Sequence, residues 1–383
     1  MTAISPRPHA DQLEPAADQQ SAKSLFELVA GAVAPDDHAR TVWQTLGRVG
    51  AISAVLSEPG RPPQLNRRVL AELLDVLDSQ LPPGPVLSIC VQLATVLPLL
   101  RNCAAVSPLA DRVLAGMLRG EVVVALAATD GGRSGSDLIE LRTCVQRTEH
   151  GITVEGNKEW ITNAGHCDYL LVLARNRPER HFTSQCWVLI PAAQDGVSAE
   201  PAGNGLLPGS GLGHLSLRNV QLESGHIVGR RGYALAELAI QLGTERLAGA
   251  FWAHAVCRRV LIDTHRYLQS RPAGDGTLWD NAAVRERFAC ALVAYRELDA
   301  MCRFGMAAPL TPAFGMALKA SFAGVTDRVL SECIALHGAD SLRPDGLTRL
   351  REQFAMFGIA GGATGTMLAG VAEHAEELLQ PML

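Results

Sequence analysis

The spacing of apolar residues changes character twice along the chain. Over residues 24–118 it is helical: Leu25, Leu28 and Val29 begin one stripe, and Leu70, Leu73, Leu74 and Leu77 form another at three- and four-residue intervals. Turns at Pro59-Gly60-Arg61-Pro62-Pro63 and Pro82-Pro83-Gly84-Pro85 separate these helices. Nothing in this part is catalytic by composition, and it reads as a packing domain. At Glu121 the period shortens. Residues 122–126, 144–147, 152–155, 169–174, 186–190 and 215–220 read as short strands, the second and third joined as a hairpin across His150-Gly151. Short strands with Gly, Asn and Pro between them predict a compact antiparallel barrel or sandwich. After Gly229 the helical period returns. One long segment covers residues 233–269 with Leu235, Leu238, Leu242, Leu247, Phe251, Val256 and Val260 on its apolar side. Three more helices follow, around Val284 to Cys302, Phe314 to Leu336 and Leu347 to Phe357. The expected class is α+β: a helical domain over 23–118, an antiparallel β-domain, barrel or sandwich, over 119–228 and a four-helix bundle over 229–383.

Composition narrows the function classes. A chain of 383 residues can bury a large core, and its net charge of −5 offers no basic face for nucleic acid. Mean hydropathy is +0.12, and no apolar run is expected to reach the ~18 residues needed to span a bilayer. Residues 1–22 carry Pro6, Pro8 and Pro15 without an apolar segment, so they read as a disordered tail rather than a secretory signal. The nine cysteines are scattered, with no pair or Cys/His cluster at metal-ligand spacing, so no metal site is expected and the compartment reads as cytoplasmic.

The chemistry is concentrated in the strand region. Glu155-Gly156-Asn157-Lys158-Glu159-Trp160-Ile161-Thr162-Asn163-Ala164 follows Ser134-Gly135-Ser136-Asp137 by about twenty residues and precedes Asp168-Tyr169-Leu170-Leu171-Val172. Alone, these segments are equally a half-buried strand with an aromatic anchor and a glycine turn. Together they resemble the flavin-binding signature of the acyl-CoA dehydrogenase family, and the order helical, β, helical is also that family's order. The resemblance implies FAD as cofactor, with Trp160 against the flavin ring, Thr162 near the hydride-accepting N5, and Gly135 and Ser136 approaching the cofactor. Upstream, Thr129-Asp130-Gly131-Gly132-Arg133-Ser134 departs from the family's pattern by one extra residue and a missing proline, and Thr129 is placed near the pyrimidine edge of the flavin.

Dehydrogenating an acyl thioester requires a base for the α-proton, and a carboxylate serves once desolvation raises its pKa toward neutrality. Many members carry it before a Gly-Thr near the C-terminus, where this chain has Gly361-Gly362-Ala363. A subset including isovaleryl-CoA dehydrogenase instead carries it on the long helix before an arginine, and Thr244-Glu245-Arg246 occupies that place here. The resemblance implies Glu245 as base, Arg246 ordering its helix, and the Gly361 N–H binding the thioester carbonyl. A solvated or salt-bridged Glu-Arg pair is the other reading of the same residues.

The adenine side of the family's FAD site is altered. Arg271, which the resemblance implies reaches the FAD of a neighbouring subunit, is kept, but Pro272-Ala273-Gly274-Asp275 follows it. Ala335-Leu336-His337-Gly338-Ala339 lacks the usual glutamine, and Gly362-Ala363 lacks the usual threonine, leaving His337 and Thr364 as substitute contacts. The resemblance points to a specialised member of secondary metabolism oxidising an acyl-CoA or an acyl carrier protein substrate, with an electron-transfer partner or flavin reductase and a homodimeric or homotetrameric assembly. Two alternatives are a flavin-dependent monooxygenase or N-hydroxylase of the same fold, and a non-catalytic relative.

Overall fold

The computed structural model describes residues 25–56, 65–132, 138–179, 181–203 and 205–380. The expected tail, the turn at 59–63, and Gly135 and Ser136 lie outside the described residues. The chain opens with α1 (residues 25–32), α2 (Ala39–Arg48), α3 (Ala51–Leu56), α4 (Arg67–Gln80), α5 (Pro83–Val91), a π-helical turn (Gln92–Val96), α6 (Leu97–Ala104) and α7 (Pro108–Leu118). The leucine stripe of α4 is fully buried at Leu70, Leu73, Leu74 and Leu77, each contributing about 1.5–3 kcal/mol of burial energy. Its start is fixed by Asn66, whose side chain accepts the Val69 N–H at 3.1 Å.

The stretch Pro83–Ala104 corrects one expectation. It is a continuous helical run of 22 residues with mean hydropathy 1.7, long and apolar enough by composition to cross a membrane, and 83% of that window is buried inside the fold. Packing against α2, α7 and β1 (Val124–Ala127) accounts for its apolar character.

The remaining strands are β2 (Cys144–Thr148), β3 (Gly151–Ile161), β4 (Tyr169–Arg175), β5 (Gln185–Pro191), β6 (Val197–Pro201), β7 (Gly213–Leu222) and β8 (Ile227–Val228). They form one sheet in the order β6-β7-β3-β2-β4-β5-β8, and among the described residues its end strands β6 and β8 do not pair with each other. Most pairs are antiparallel, including the expected β2–β3 hairpin. The exceptions are β1, parallel to β4 from Val124↔Tyr169 to Ala127↔Val172, and a single parallel bridge Cys144↔Arg175. Parallel neighbours need a crossover, and the β2–β3 hairpin lies within the connection from β1 to β4.

Four long or paired helical elements complete the chain: α8 (Ala234–Ser270), α9 (Ala282–Ala307), α10 (Pro312–His337), and α11 (Leu347–Phe354) with α12 (Thr364–Glu373) and the short α13 (Ala375–Leu378). A two-strand ribbon, β9 (Pro272–Ala273) and β10 (Gly276–Thr277), links α8 to α9. Thr311 caps α10 by accepting the Phe314 N–H at 3.2 Å, with Pro312 in its first turn. One core cluster joins α4, α5, α6 and α8 to α10, while a second lies within the sheet around Val154, Val172 and Val188.

Candidate active site

Glu245 sits on α8, three turns in from its N-terminus. Its Oε2 accepts a hydrogen bond from Thr95 Oγ1 at 2.9 Å, and it forms no ion pair with another described residue. Surrounding chain encloses it although part of its surface stays accessible. Burial raises its carboxyl above the ordinary range, while the Thr95 hydroxyl and the charges of Lys319 and Arg246 pull it partly back. Gly361 faces the other oxygen. With φ of +68° it is left-handed, and a Cβ placed there would lie 2.8 Å from Glu245 Oε1. The two positions compete for one volume, so the carboxylate on α8 can stand here only because residue 361 carries no side chain.

Arg246 does not pair with its neighbour. Its Nε is buried without a hydrogen-bond partner among the described residues, and its guanidinium lies near the Gly315 and Gly362 backbones, with Nη2 3.7 Å from where a Gly362 Cβ would stand. The salt-bridged reading of Glu245 and Arg246 is therefore not what the fold builds.

The end of β3 carries the second group. Trp160 has φ of +59° and is 54% exposed, an uncommon combination for a large aromatic residue. A register shift in the β3–β7 pairing between Lys158 and Ile161 turns it outward. His214 on β7 meets its ring edge-to-face at 5.0 Å and accepts its backbone N–H at 3.4 Å. Thr162 is half-buried beyond it, between the buried Ile161 and Asn163. Thr129 is also half-buried, and its carbonyl accepts the Glu159 N–H at 3.2 Å, so the loop before β2 is stitched to β3.

Lys158 makes that stitch rigid. Fully buried, its ammonium lies 2.6 Å from Asp130 Oδ1 and donates to the carbonyls of Ala128 at 2.9 Å and Leu173 at 2.7 Å. Burial pushes its amine down to about 8, opposed by Asp130. Burial alone would raise Asp130, but the Lys158 charge and the Thr143 donors hold its carboxyl below the usual range.

Three polar residues that sequence reasoning assigned to packing connect the two groups. Ser88 on α5 hydrogen-bonds Asn163 at the end of β3, Gln92 bonds both backbone groups of Val124 on β1, and Thr95 in the π turn holds Glu245. All three are almost wholly buried. Their spacing of four and three puts them on one helix face, and polar residues at that spacing inside an apolar run were the signal available in the sequence. π turns recur at functional sites. His214 and Lys319 also went unremarked, since neither falls in a motif.

Arg271 is not brought to this place. At a rise of 1.5 Å per residue it lies ~39 Å beyond Glu245 along α8. Its guanidinium pairs with Asp340 at 3.4 Å, beside Tyr267, which stacks on His337 at 4.2 Å. His337 Nε2 is 3.1 Å from Thr264 Oγ1, and Thr364 donates to the Gly358 carbonyl at 3.2 Å, so both expected substitute contacts are engaged within the chain. Among the described residues no His, Cys, Asp or Glu group could hold a metal ion.

Known proteins resemble this chain in sequence and fold. The model for the acyl-CoA dehydrogenase middle domain matches residues 125–220, and the model for the C-terminal domain matches residues 230–376. The acyl-[acyl-carrier-protein] dehydrogenase MbtN of Mycobacterium bovis is 27% identical over 238 residues, 60% of each chain, so the match spans well under two thirds of that relative's length. An L-prolyl-[peptidyl-carrier protein] dehydrogenase from a Serratia species is 32% identical over 116 residues, covering 30% of this chain and 29% of the relative. The solved FAD complex of PigA superposes with a TM-score of 0.83 at 18% identity, over 96% of this chain and 99% of that one, which shows a common fold. With both family models matched in order across the sheet and the helices that follow it, the chain belongs to the acyl-CoA dehydrogenase family.

Proposed function

We propose that this protein is an FAD-dependent dehydrogenase that oxidises an acyl thioester at its α and β carbons, the acyl group being carried by a carrier protein or by CoA. The observation that carries the reading is the fit between Glu245 and Gly361, where the carboxylate occupies the space a side chain at 361 would fill. The carrier-protein relatives support a tethered substrate over a free acid.

The residues suit FAD. Trp160 offers an exposed aromatic face held by a left-handed backbone, a strain that persists where the surroundings impose it for use. The Nε of Arg246, buried without a hydrogen-bond partner among the described residues, is a polar group the chain itself leaves unclaimed. Trp160 and Thr162 would line the flavin and Thr129 its pyrimidine edge, while Gly135 and Ser136, expected to approach it, lie outside the described residues. When bound, FAD supplies the acceptor for the hydride leaving the β carbon. Glu245 takes the α-proton at Oε1, because Oε2 is already engaged by Thr95. Burial makes the carboxylate a stronger base than a surface glutamate. The Gly361 N–H donates to the thioester carbonyl, stabilising the charge that develops as the proton departs. Arg246 holds its guanidinium between the Gly315 and Gly362 backbones, bracing this part of α8. Turnover then requires an electron-accepting partner.

Glu245→Gln tests the assignment. The expected variant binds one FAD per chain, counted from released flavin, and has no detectable turnover on acyl thioesters. Retained activity would remove Glu245 from the mechanism, and a wild-type protein that takes up no FAD would remove the cofactor. Leu342, Ile359, Leu368 and Leu379 are all more than half exposed, which supports burial against further copies in a homodimer or homotetramer. Light scattering against the 40.8 kDa chain mass measures this directly. The nine free thiols fit a cytoplasmic location.

A further inference from the structure

Lysine is scarce in this chain. It occurs only as Lys23, Lys158 and Lys319, and every other permanent cation is an arginine. Lys158 is explained by its ion pair with Asp130. Lys319, 4% exposed on α10, is not explained by a carboxylate contact. Its ammonium donates to the Phe357 carbonyl at 2.5 Å and lies 4.7 Å from the centre of the Phe322 ring. It stands one turn beyond Gly315, where an added Cβ would lie 3.8 Å from the Arg246 side chain. A buried ammonium bonded to a neutral carbonyl is costly unless an anion's field compensates it. The Phe357 carbonyl that holds Lys319 lies four residues before Gly361, which faces Glu245 Oε1, and Glu245 is the anion whose charge acts on this ammonium.

We propose that Lys319 is a positioning residue for Glu245: its buried ammonium, tethered by Phe357, is the counter-charge that keeps the base ionised inside the protein. The proposal rests on the reading of Glu245 as the base. The groups facing Glu245 are the Thr95 hydroxyl from the π turn, the Cys90 thiol from α5, Arg246 from α8 and Lys319 from α10. Cys90 is pushed up to about 12 by burial and stays neutral. Of the two cations, Lys319 pulls on Glu245 harder than Arg246 does. A compact ammonium suits this role because it concentrates charge without the planar fork of arginine. Arg246, with its unpartnered Nε, remains available to other groups.

The sign of the effect is fixed by the chemistry. Burial raises Glu245, and Lys319 opposes that rise. Removing the charge with Lys319→Met lets Glu245 rise further, so the acid limb of kcat/KM moves to higher pH by about one unit, a roughly tenfold loss below the limb. FAD content is expected to stay at the wild-type level, and Lys319→Arg, which keeps the charge, is expected to keep the limb in place. A Lys319→Met profile that superimposes on wild type overturns the proposal, as does an equal displacement in Lys319→Arg.

A second measurement does not depend on the folding of any Lys319 variant. Protein labelled with 13C at the lysine ε carbon and loaded with FAD shows three lysine resonances, assigned by Lys23→Arg and Lys158→Arg. The Lys319 amine is pushed down to about 8, with burial the largest cause. Glu245→Gln takes away the anion that opposes this, so the Lys319 midpoint falls further. An unchanged midpoint overturns the coupling. This titration reports the pair whether or not Glu245 proves to be the base, whereas loss of the catalytic reading shows as retained turnover in Glu245→Gln.

Discussion

Gly361 is where one missing side chain decides what its neighbours can do. Its φ of +68° already disfavours any β-carbon, at about 1–2 kcal/mol, and the Cβ would stand 2.8 Å from Glu245 Oε1. Gly361→Ala is therefore expected to displace the carboxylate more than it unfolds the protein. A misplacement near 1 Å at a reacting group costs roughly a hundredfold in rate, so kcat/KM should fall by about that factor with FAD still bound. Steady-state kinetics beside a thermal melt separates the two effects, and wild-type kinetics would show that the carboxylate tolerates a side chain at 361. Glu245, Arg246 and Gly361 were legible as residues because they resemble a family pattern. Thr95 and Lys319 were not: the spacing of Thr95 with Ser88 and Gln92 marks a polar helix face but does not point to Glu245, and a lone lysine carries no spacing signal. Their roles follow from helices that meet only in three dimensions.

At the scale of elements, β3 and the α5–π–α6 run organise the site. Lys158 locks the Thr129 loop and Trp160 into one unit through Asp130, Ala128 and Leu173. Breaking a buried pair by removing one partner strands the other, so Lys158→Met is expected to lose about 3–5 kcal/mol, read as a lower midpoint in urea. A variant of wild-type stability would show that Asp130 finds other donors. The strongly patterned elements were legible: α8 spans Ala234–Ser270 where the apolar stripe predicts a helix over 233–269. β6 was missed because its residues are mostly exposed and offer no alternation. β8 is only two residues long. The apolar run through α5 and α6 was legible as helix, but its polar face at Ser88, Gln92 and Thr95 acquires meaning only from β3, β1 and α8 arriving beside it.

At the scale of the whole molecule, the helices before β1 and after β8 share one core. Leu73, Leu77 and Leu97 belong to the same buried cluster as Leu247, Val256, Phe322 and Phe357. Trp252 on α8 donates to Asp78 on α4 at 3.1 Å, and Arg259 pairs with the same carboxylate at 2.8 Å. The two helical parts are therefore expected to unfold together, with tryptophan fluorescence and helical circular dichroism giving coincident denaturant midpoints. A chain beginning at Val122 should fail to fold, and separate transitions would refute the shared core. By itself the sequence determined the order helix, sheet, helix, the long central helix and the family signature, because periodicity and motif spacing are local properties of the chain. Tertiary structure alone decided that the carboxylate of Glu245 fills the space left at Gly361. It also decided that a π turn presents Thr95 to that carboxylate, and that Lys319 lies buried within its field. Those relations depend on distances between segments far apart in the chain, which no local pattern encodes.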